Sequence, residues 1–184
     1  FLLARENLTD HLNKNEKKGK IRQKLLKIRA KKVIIATGAL ERPMIFNNND
    51  RPGIMLSSAV KKYVDYYGVI SGKKTVFFTN NDSAYESAIS LNKKGIKVEA
   101  IIDIREKSNS KIVKETIDLG IMIYWSHTVV DTDGYKRLKE ISIMELSKDN
   151  QSVVGAKKNI KCDCLGIAGG WTTAVHLFTQ SGGK

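Results

Sequence analysis

The stretch TVFFTNNDSAYESAISLNKKGIKVEAIID, residues 75–103, decides the fold that the sequence predicts. It opens with a continuous apolar run, 75–79, which is typical of a strand buried on both faces. A turn over 80–82 leads into a segment, 83–94, whose small and apolar residues repeat with a helical period. The run 97–102 predicts a second strand. The stretch is therefore predicted to form a βαβ unit with a right-handed crossover.

Segments on both sides continue the alternation of strands and helices. A helix is predicted to begin at a capping Ser57 and to end at Gly68, and another covers 109–119 with Ile117 among its inward residues. Buried strands are predicted at 33–38 and 164–168, and a further strand is predicted at 121–125. Two β-rich runs, 127–130 and 138–146, flank a predicted turn over 131–134, and 21–30 predicts a strand of an antiparallel hairpin.

The expected fold class is α/β: a Rossmann-like parallel sheet covered by helices on both faces, with a small antiparallel excursion.

Composition excludes several classes of protein. The chain has 184 residues with 41% hydrophobic and 28% charged residues, which is enough apolar material for a core. No apolar run approaches the roughly 20 residues of a membrane helix, and the first residues do not form a secretory signal. We therefore expect a cytoplasmic location with no membrane partner. Because the sequence opens without Met, we expect it to be a piece of a longer protein.

Positive charge is concentrated in one segment. The net charge is +13, and residues 14–32 hold ten Lys or Arg against one acid, Glu16. The segment has no aromatic residue that could stack on bases, so a solvated basic strand face is the favoured interpretation. An acidic partner protein is a weaker alternative and a nucleic acid is weaker still, so no nucleic-acid partner is expected.

The turn after the strand 75–79 is the candidate phosphate-binding element. Dinucleotide-binding units carry G-x-G-x-x-G/A here and an acid about 20 residues further on. Ala84 and Asp103 occupy the last two of these positions, but Thr79 and Asn81 replace the glycines. If a dinucleotide binds, NAD is favoured over NADP. The candidate cofactor-binding residues of this unit are then Asn80, Asn81, Asp82, Ser83 and Asp103.

A fold that has lost its ligand is the favoured alternative at this turn. Side chains at Thr79 and Asn81 fill the space in which a phosphate approaches the backbone. Ser83 and Glu86 form a potential capping box that satisfies the helix N-terminus, and Asp82 places a negative charge beside it.

Cysteines and histidines give no sign of catalysis or metal binding. Cys162 and Cys164 are separated by one residue, a spacing at which a mutual disulfide is strained, and both are expected to be reduced, partly buried thiols. His11, His127 and His176 lack a nucleophile or a metal-ligand spacing nearby and are expected to be surface or packing residues.

Several short strings resemble one family. The run VIIATG at 33–38 resembles the "ATG" strand of flavoprotein oxidoreductases with two dinucleotide-binding domains. Most of 20–184 is similar to the α subunits of heterotetrameric sarcosine oxidases; opine oxidase and cyanide synthase subunits share part of the pattern. The strings that carry the resemblance are ATGA at 36–39 with ERP at 41–43, NDRPG at 49–53, YGV at 67–69, TNNDSAY at 79–85, and GGW at 169–171 with AVHL at 174–177.

The resemblance implies a role inside a large assembly. Such α subunits hold NAD in an N-terminal glycine-rich motif and carry a C-terminal domain for tetrahydrofolate. They associate with a β subunit that carries FAD and FMN and with two small subunits, γ and δ. The complex demethylates sarcosine oxidatively to glycine and reduces oxygen to hydrogen peroxide. This segment would be scaffold without turnover of its own, with Ala36, Thr37 and Gly38 bordering the NAD site.

The same resemblance implies three parts in the chain. Residues 1–56 are expected to be part of a first, FAD/NAD-type domain that includes the antiparallel segment and the ATG strand. Residues 57–168 are expected to form the second Rossmann-like domain, and 169–184 to return towards the first. The rivals from other functional classes are a stand-alone NAD-binding module and a basic nucleic-acid or acidic-partner binder.

Overall fold

The computed structural model describes residues 2–182, which form two compact units. One unit consists of the chain up to Thr37 together with the residues from Val175 onward, and the other spans Gly38–Ala174. The strands are β1 (Leu2–Asn7), β2 (Gln23–Ile28), β3 (Ala39–Glu41), β4 (Ile54–Leu56), β5 (Thr75–Thr79), β6 (Val98–Asp103), β7 (Ile123–Trp125), β8 (His127–Asp133), β9 (Glu140–Leu146), β10 (Val153–Lys161), β11 (Cys164–Ala168) and β12 (Trp171–Thr173). The helices are α1 (Lys14–Lys17), α2 (Ser57–Tyr67), α3 (Ser83–Lys93), α4 (Lys111–Asp118) and α5 (His176–Gln180). The boundaries of these units differ from the domain division expected after residues 56 and 168, which remains a prediction.

The first unit is built around an antiparallel ribbon. β1 pairs with β2 from Leu2 opposite Ile28 to Asn7 opposite Gln23, which confirms the strand predicted within 21–30. Nearly every side chain of the ribbon is exposed or half-buried, so the basic residues of β2 are solvated. Among residues 2–182, no helix is both long enough and apolar enough to span a membrane.

A parallel sheet of five strands forms the centre of the second unit. Its order is β4-β11-β5-β6-β7, and every neighbouring pair is parallel. All residues of β5 and β11 are buried, as their continuous apolar runs predict. The βαβ unit β5–α3–β6 forms as predicted, and Gly95 after α3 has the left-handed φ of 75° that suits glycine. The predicted α/β class is confirmed.

The two faces of the sheet are covered by different structures. Phe77 of β5 packs in one cluster with residues of α2, α3 and α4, such as Val60 and Val113. Val76 and Phe78, which alternate with Phe77, pack instead against residues of the antiparallel sheet β10-β9-β8. The second face is therefore covered by the antiparallel excursion and not by helices. A strand with two apolar faces requires a cover on each side, but its sequence does not specify whether that cover is a helix or a sheet.

The apolar run at 33–38 does not form the predicted buried strand. These residues have no regular secondary structure, and Ile34 is 92% exposed. A strand is buried on both faces only when neighbouring strands pair with it and other elements cover it. None of the strands between residues 2 and 182 pairs with this run, so its apolar side chains lie at the surface.

Smaller differences concern helix and strand ends. Ser57 is not the cap of α2: it is the first helical residue and is buried, while the Glu41 carboxylate accepts the amide hydrogen of Ser58. This cap comes from a strand 17 residues earlier, so local pattern could not show it. Ile117 of α4 is 49% exposed, and β8 extends to Asp133 through the predicted turn. A short antiparallel ribbon, β3–β12, completes the unit.

Candidate functional site

The candidate site lies at the carboxyl ends of β5, β6 and β11, where parallel α/β sheets bind their ligands. Asn80, Asn81 and Asp82 form the turn between β5 and α3. The amide of Asn80 donates to the carbonyl of Ala168 at the end of β11, at 3.3 Å. Asp103 closes β6 at the same edge. The structure thus brings together five of the predicted cofactor residues: Asn80, Asn81, Asp82, Ser83 and Asp103.

Asn81 binds both sides of the turn with its own side chain. Its Nδ2 donates to the carbonyl of Ala168 at 3.1 Å, which ties the turn to β11. Its Oδ1 accepts the backbone N–H of Ser83 at 2.9 Å and also the hydroxyl of Ser83. The start of α3 is therefore capped by Asn81, and the capping box predicted from Ser83 and Glu86 is not formed. The Asn81 amide occupies the helix N-terminus that an anion uses in dinucleotide-binding folds.

Thr79 stabilises the same turn from the end of β5. Its hydroxyl accepts the N–H of Asn81 at 3.0 Å and donates to the carbonyl of Asn81 at 2.8 Å. Thr79 is itself buried. Thus the two residues that replace the glycines of the motif both hydrogen-bond within the turn, and they hold its backbone without a ligand.

Asp103 is completely buried, and its two carboxylate oxygens are both engaged. The hydroxyl of Tyr85 donates to Oδ2 at 2.7 Å. Arg105 donates its backbone N–H to Oδ1 at 2.9 Å and its Nη2 to Oδ2 at 2.8 Å. The same Nη2 reaches Oδ1 of Asp82, also at 2.8 Å, so the guanidinium joins the strand end to the turn.

The positive charge of Arg105 and the negative charges of Asp103 and Asp82 stabilise one another. The hydrogen bond that Arg105 donates to Asp103 is the largest effect that raises the pKa of Arg105, and the one that it donates to Asp82 adds to it. Burial, followed by the hydrogen bond to Asp103, raises the pKa of Tyr85, so the phenol remains a donor. The ring of Tyr85 also stacks on Trp125 at the end of β7, with centroids 6.2 Å apart.

The groups at this edge that would bind a ribose or a pyrophosphate, the Asp103 carboxylate and the Asn81 turn, are already hydrogen-bonded to other described residues. A ribose needs an accessible carboxylate at the end of the second strand, and Asp103 has neither exposure nor a free oxygen. The residues present therefore do not fit a dinucleotide in this arrangement. Tyr85, Arg105 and Trp125 are not among the site residues that the sequence predicts. The sequence signal for Arg105 is its position two residues after the strand-end acid.

The remaining predicted residues lie elsewhere in the chain. Ala36 and Thr37 belong to the first compact unit, whereas Gly38 is the first residue of the second. Gly38 has a φ of 73°, which favours glycine at that position. Their predicted role beside an NAD site remains a prediction.

The two cysteines are the free, buried thiols that the sequence predicts, although Cys162 lies between β10 and β11 and not on a strand. Both are free and buried, with Cys162 in the core under the antiparallel sheet and Cys164 in the core under the helices. Burial raises the pKa of Cys162 to about 12 and that of Cys164 to about 11, so both are protonated at neutral pH. Among residues 2–182, no group of three or more His, Cys, Asp or Glu side chains could hold a metal ion.

The parallel sheet and the turn at its carboxyl edge define a Rossmann-type domain of the dinucleotide-binding oxidoreductase class. The chain belongs to the pyridine nucleotide-disulphide oxidoreductase family, whose profile matches residues 5–183. This is a family of redox enzymes with dinucleotide-binding folds.

Curated relatives and a solved structure agree with this assignment. The chain is 38% identical over its whole length to the sarcosine oxidase subunit alpha of Corynebacterium sp. (strain P-1) and 34% identical to that of strain U-96. It spans 19% of the length of each of these relatives. It also resembles the thioredoxin reductase of T. acidophilum, with a TM-score of 0.59 and 21% identity over 80% of this chain and 46% of that one. The predicted resemblance to sarcosine oxidase α subunits is confirmed.

Proposed function

We propose that this chain is a central segment of the α subunit of a sarcosine oxidase, a multi-subunit flavoenzyme. The observation that carries the proposal is the identity of 38% and 34% to two such subunits along the entire chain. The proposed complex demethylates sarcosine oxidatively to glycine and reduces oxygen to hydrogen peroxide. Its proposed partners are β, γ and δ subunits, with FAD and FMN on β and tetrahydrofolate on a further domain of α.

Within that subunit, the proposed role of the segment is structural. Asp103, Arg105 and Tyr85 satisfy one another at the edge where a dinucleotide would bind, which supports a Rossmann domain that works without its own nucleotide. The NAD of the subunit is then proposed to lie in another domain, with Ala36, Thr37 and Gly38 at its border. The competing hypothesis is an NAD site formed by Asn80–Ser83 and Asp103.

The experiment that tests the proposed function uses the intact protein with its associated subunits. The purified assembly is mixed with sarcosine, with an opine or with glycine, and hydrogen peroxide is measured. We expect peroxide with sarcosine and only background with the other two substrates. A preference for an opine would instead assign the chain to the related opine oxidases. An assembly that produces no peroxide with sarcosine, although its flavins are present, would contradict the proposal.

A further inference from the structure

A cavity of about 370 Å³ lies in the second unit, between α2, the start of α3 and the β3–β12 ribbon. Its lining includes three carboxylates, Glu41, Asp65 and Glu86, and the indole of Trp171. We call it the Glu41 cavity. It adjoins the Asn81 turn through Ser83, which is part of its lining, but neither Asp103 nor Arg105 lines it.

Glu41 is only partly satisfied in this cavity. The residue is 9% exposed, and its Oε2 accepts the N–H of Ser58 at 2.8 Å. The other oxygen, Oε1, is buried and has no hydrogen-bond partner among the described residues. A buried charged acceptor without a donor is unfavourable, because it has lost water and gained nothing in exchange. The start of α2 stabilises the ionised carboxylate through Oε2 and leaves Oε1 for another donor.

The charges around the cavity favour a cationic donor. Lys61 lies 3.7 Å from Asp65, which also binds Lys94 at 2.6 Å, so these three residues form a charge network of their own. Among the residues that line the cavity, the other cation is Lys62, which is exposed, so three carboxylates stand against two lysines.

Trp171 adds an aromatic surface to the same lining. It is 49% exposed and lies directly opposite Glu41 in the β3–β12 ribbon. An aromatic ring beside a carboxylate is a common environment for an ammonium or alkylammonium group, which is attracted to both. The lining therefore combines a buried, half-satisfied carboxylate with a second acid and an indole.

We propose that the Glu41 cavity binds an ammonium or alkylammonium group. Oε1 of Glu41 accepts a hydrogen bond from the cation, Glu86 supplies a second negative charge, and the Trp171 indole covers the alkyl part. The group belongs either to a free small amine or to a lysine side chain of another protein segment. The proposal does not depend on the function proposed above, since it rests on the lining of the cavity alone.

The test is an NMR titration of the purified, ¹⁵N-labelled chain at constant ionic strength. The probes are methylammonium chloride for a free amine and Nα-acetyl-lysine methylamide for a protein side chain, with sodium acetate as the anionic control. The signals to follow are the Ser58 amide and the Trp171 indole N–H. The Glu41→Gln variant keeps the size of the side chain and an acceptor for Ser58, and Glu106→Gln removes an exposed charge outside the cavity.

We expect saturable shifts of both signals with at least one of the two cationic probes and none with acetate. Glu41→Gln should weaken binding at least about tenfold, because a hydrogen bond to a charged group is lost. Glu106→Gln should change it less than twofold. Saturation with the lysine probe alone would identify a protein side chain as the occupant. No saturable shift with either cation, or equal affinity in wild type and Glu41→Gln, would overturn the proposal.

Discussion

Residues 75–79 and 33–38 are both continuous apolar runs, yet only the first is a buried strand. TVFFT forms β5, in which Val76 and Phe77 have no exposed surface. VIIATG has no regular structure, and Ile34 is 92% exposed. The two runs differ in their neighbours rather than in their hydrophobicity. β5 has β11 on one side and β6 on the other, whereas no described strand pairs with 33–38.

The comparison shows that a continuous apolar run indicates side chains that are more stable when buried. It does not show that other elements of the fold cover them. β5 is covered by α2, α3 and α4 on one face and by the antiparallel sheet on the other. Within the described residues, the apolar side chains of 33–38 are exposed. Substitutions in the two runs should therefore have very different effects on stability, even when the residues removed are equally apolar.

The largest expected effect is that of Phe77→Ala. Removing this fully buried ring should lower the free energy of unfolding by about 3–5 kcal/mol, because apolar contacts are lost and a cavity remains. Urea unfolding followed by circular dichroism measures the difference. The matched control is Phe178→Ala, whose ring is 44% exposed in α5 and which should cost about 1 kcal/mol or less. Equal losses in the two variants would contradict the difference between covered and uncovered apolar residues.

A smaller loss of stability is expected from a substitution at the carboxyl edge of the parallel sheet, where β5 ends. Arg105→Ala leaves the buried Asp103 carboxylate with Tyr85 as its main side-chain donor. Because the Arg105 side chain is itself 33% exposed, the expected loss is about 2 kcal/mol, below the range for a fully buried pair. Lys107→Ala, an exposed cation two residues further on, should change stability by less than about 0.5 kcal/mol. If the two variants unfold at the same urea concentration, the network does not stabilise the edge.

The sequence was sufficient for the elements that the local pattern specifies. The β5–α3–β6 unit, the antiparallel excursion and the left-handed glycines after the helices follow from periodicity and turn chemistry. It was insufficient where a distant element decides. The cap of α2 comes from Glu41, and the cover of the second face is a sheet. The strand predicted at 33–38 does not form, because it would need neighbouring strands that no local pattern supplies.

The candidate site shows the same division. The positions of Asn81 and Asp103 in the motif were predictable from spacing. Their hydrogen-bond partners were not, because Tyr85 faces Asp103 across the α3–β6 packing and Ala168 belongs to a strand 87 residues after Asn81. A motif position gives the place of a side chain in the fold, whereas its availability to a ligand depends on contacts formed in three dimensions.

The buried thiols of Cys162 and Cys164 predict that the stability of the fold depends on pH. Burial raises the pKa of Cys162 to about 12 and that of Cys164 to about 11, above the value of about 8.5 in an unfolded chain. Between pH 9 and 11 the unfolded thiols lose their protons while the native ones keep them. Their contribution to stability is therefore complete below about pH 8 and falls by about 1.4 kcal/mol per pH unit for each thiol as the pH rises.

Urea unfolding at pH 8 and pH 10.5 checks this prediction. The variant with Cys162→Ala and Cys164→Ala should lose less stability between the two pH values than the wild type does. A wild type and a double variant with the same pH dependence would show that the native thiols ionise as readily as the unfolded ones.

The smallest expected effect on stability is that of a substitution in the exposed apolar run at 33–38. Ile34→Ser should change the free energy of unfolding by less than about 0.5 kcal/mol, because the side chain gains almost no burial on folding. Chemical unfolding of the purified chain measures it, with Val76→Ser in β5 as the buried counterpart that should be strongly destabilised. A large loss in Ile34→Ser would mean that 33–38 is covered in solution.

The central claim is that the carboxyl edge of the parallel sheet, around Asn81 and Asp103, does not bind a nucleotide. Its most direct test is calorimetric titration of the purified chain with NAD. The account predicts no saturable heat up to millimolar NAD, because Asp103 and the turn at Asn81 are satisfied by Arg105, Tyr85 and Ser83. Micromolar binding that is lost in Asp103→Asn would contradict it and would place a working dinucleotide site at the β5–α3 turn.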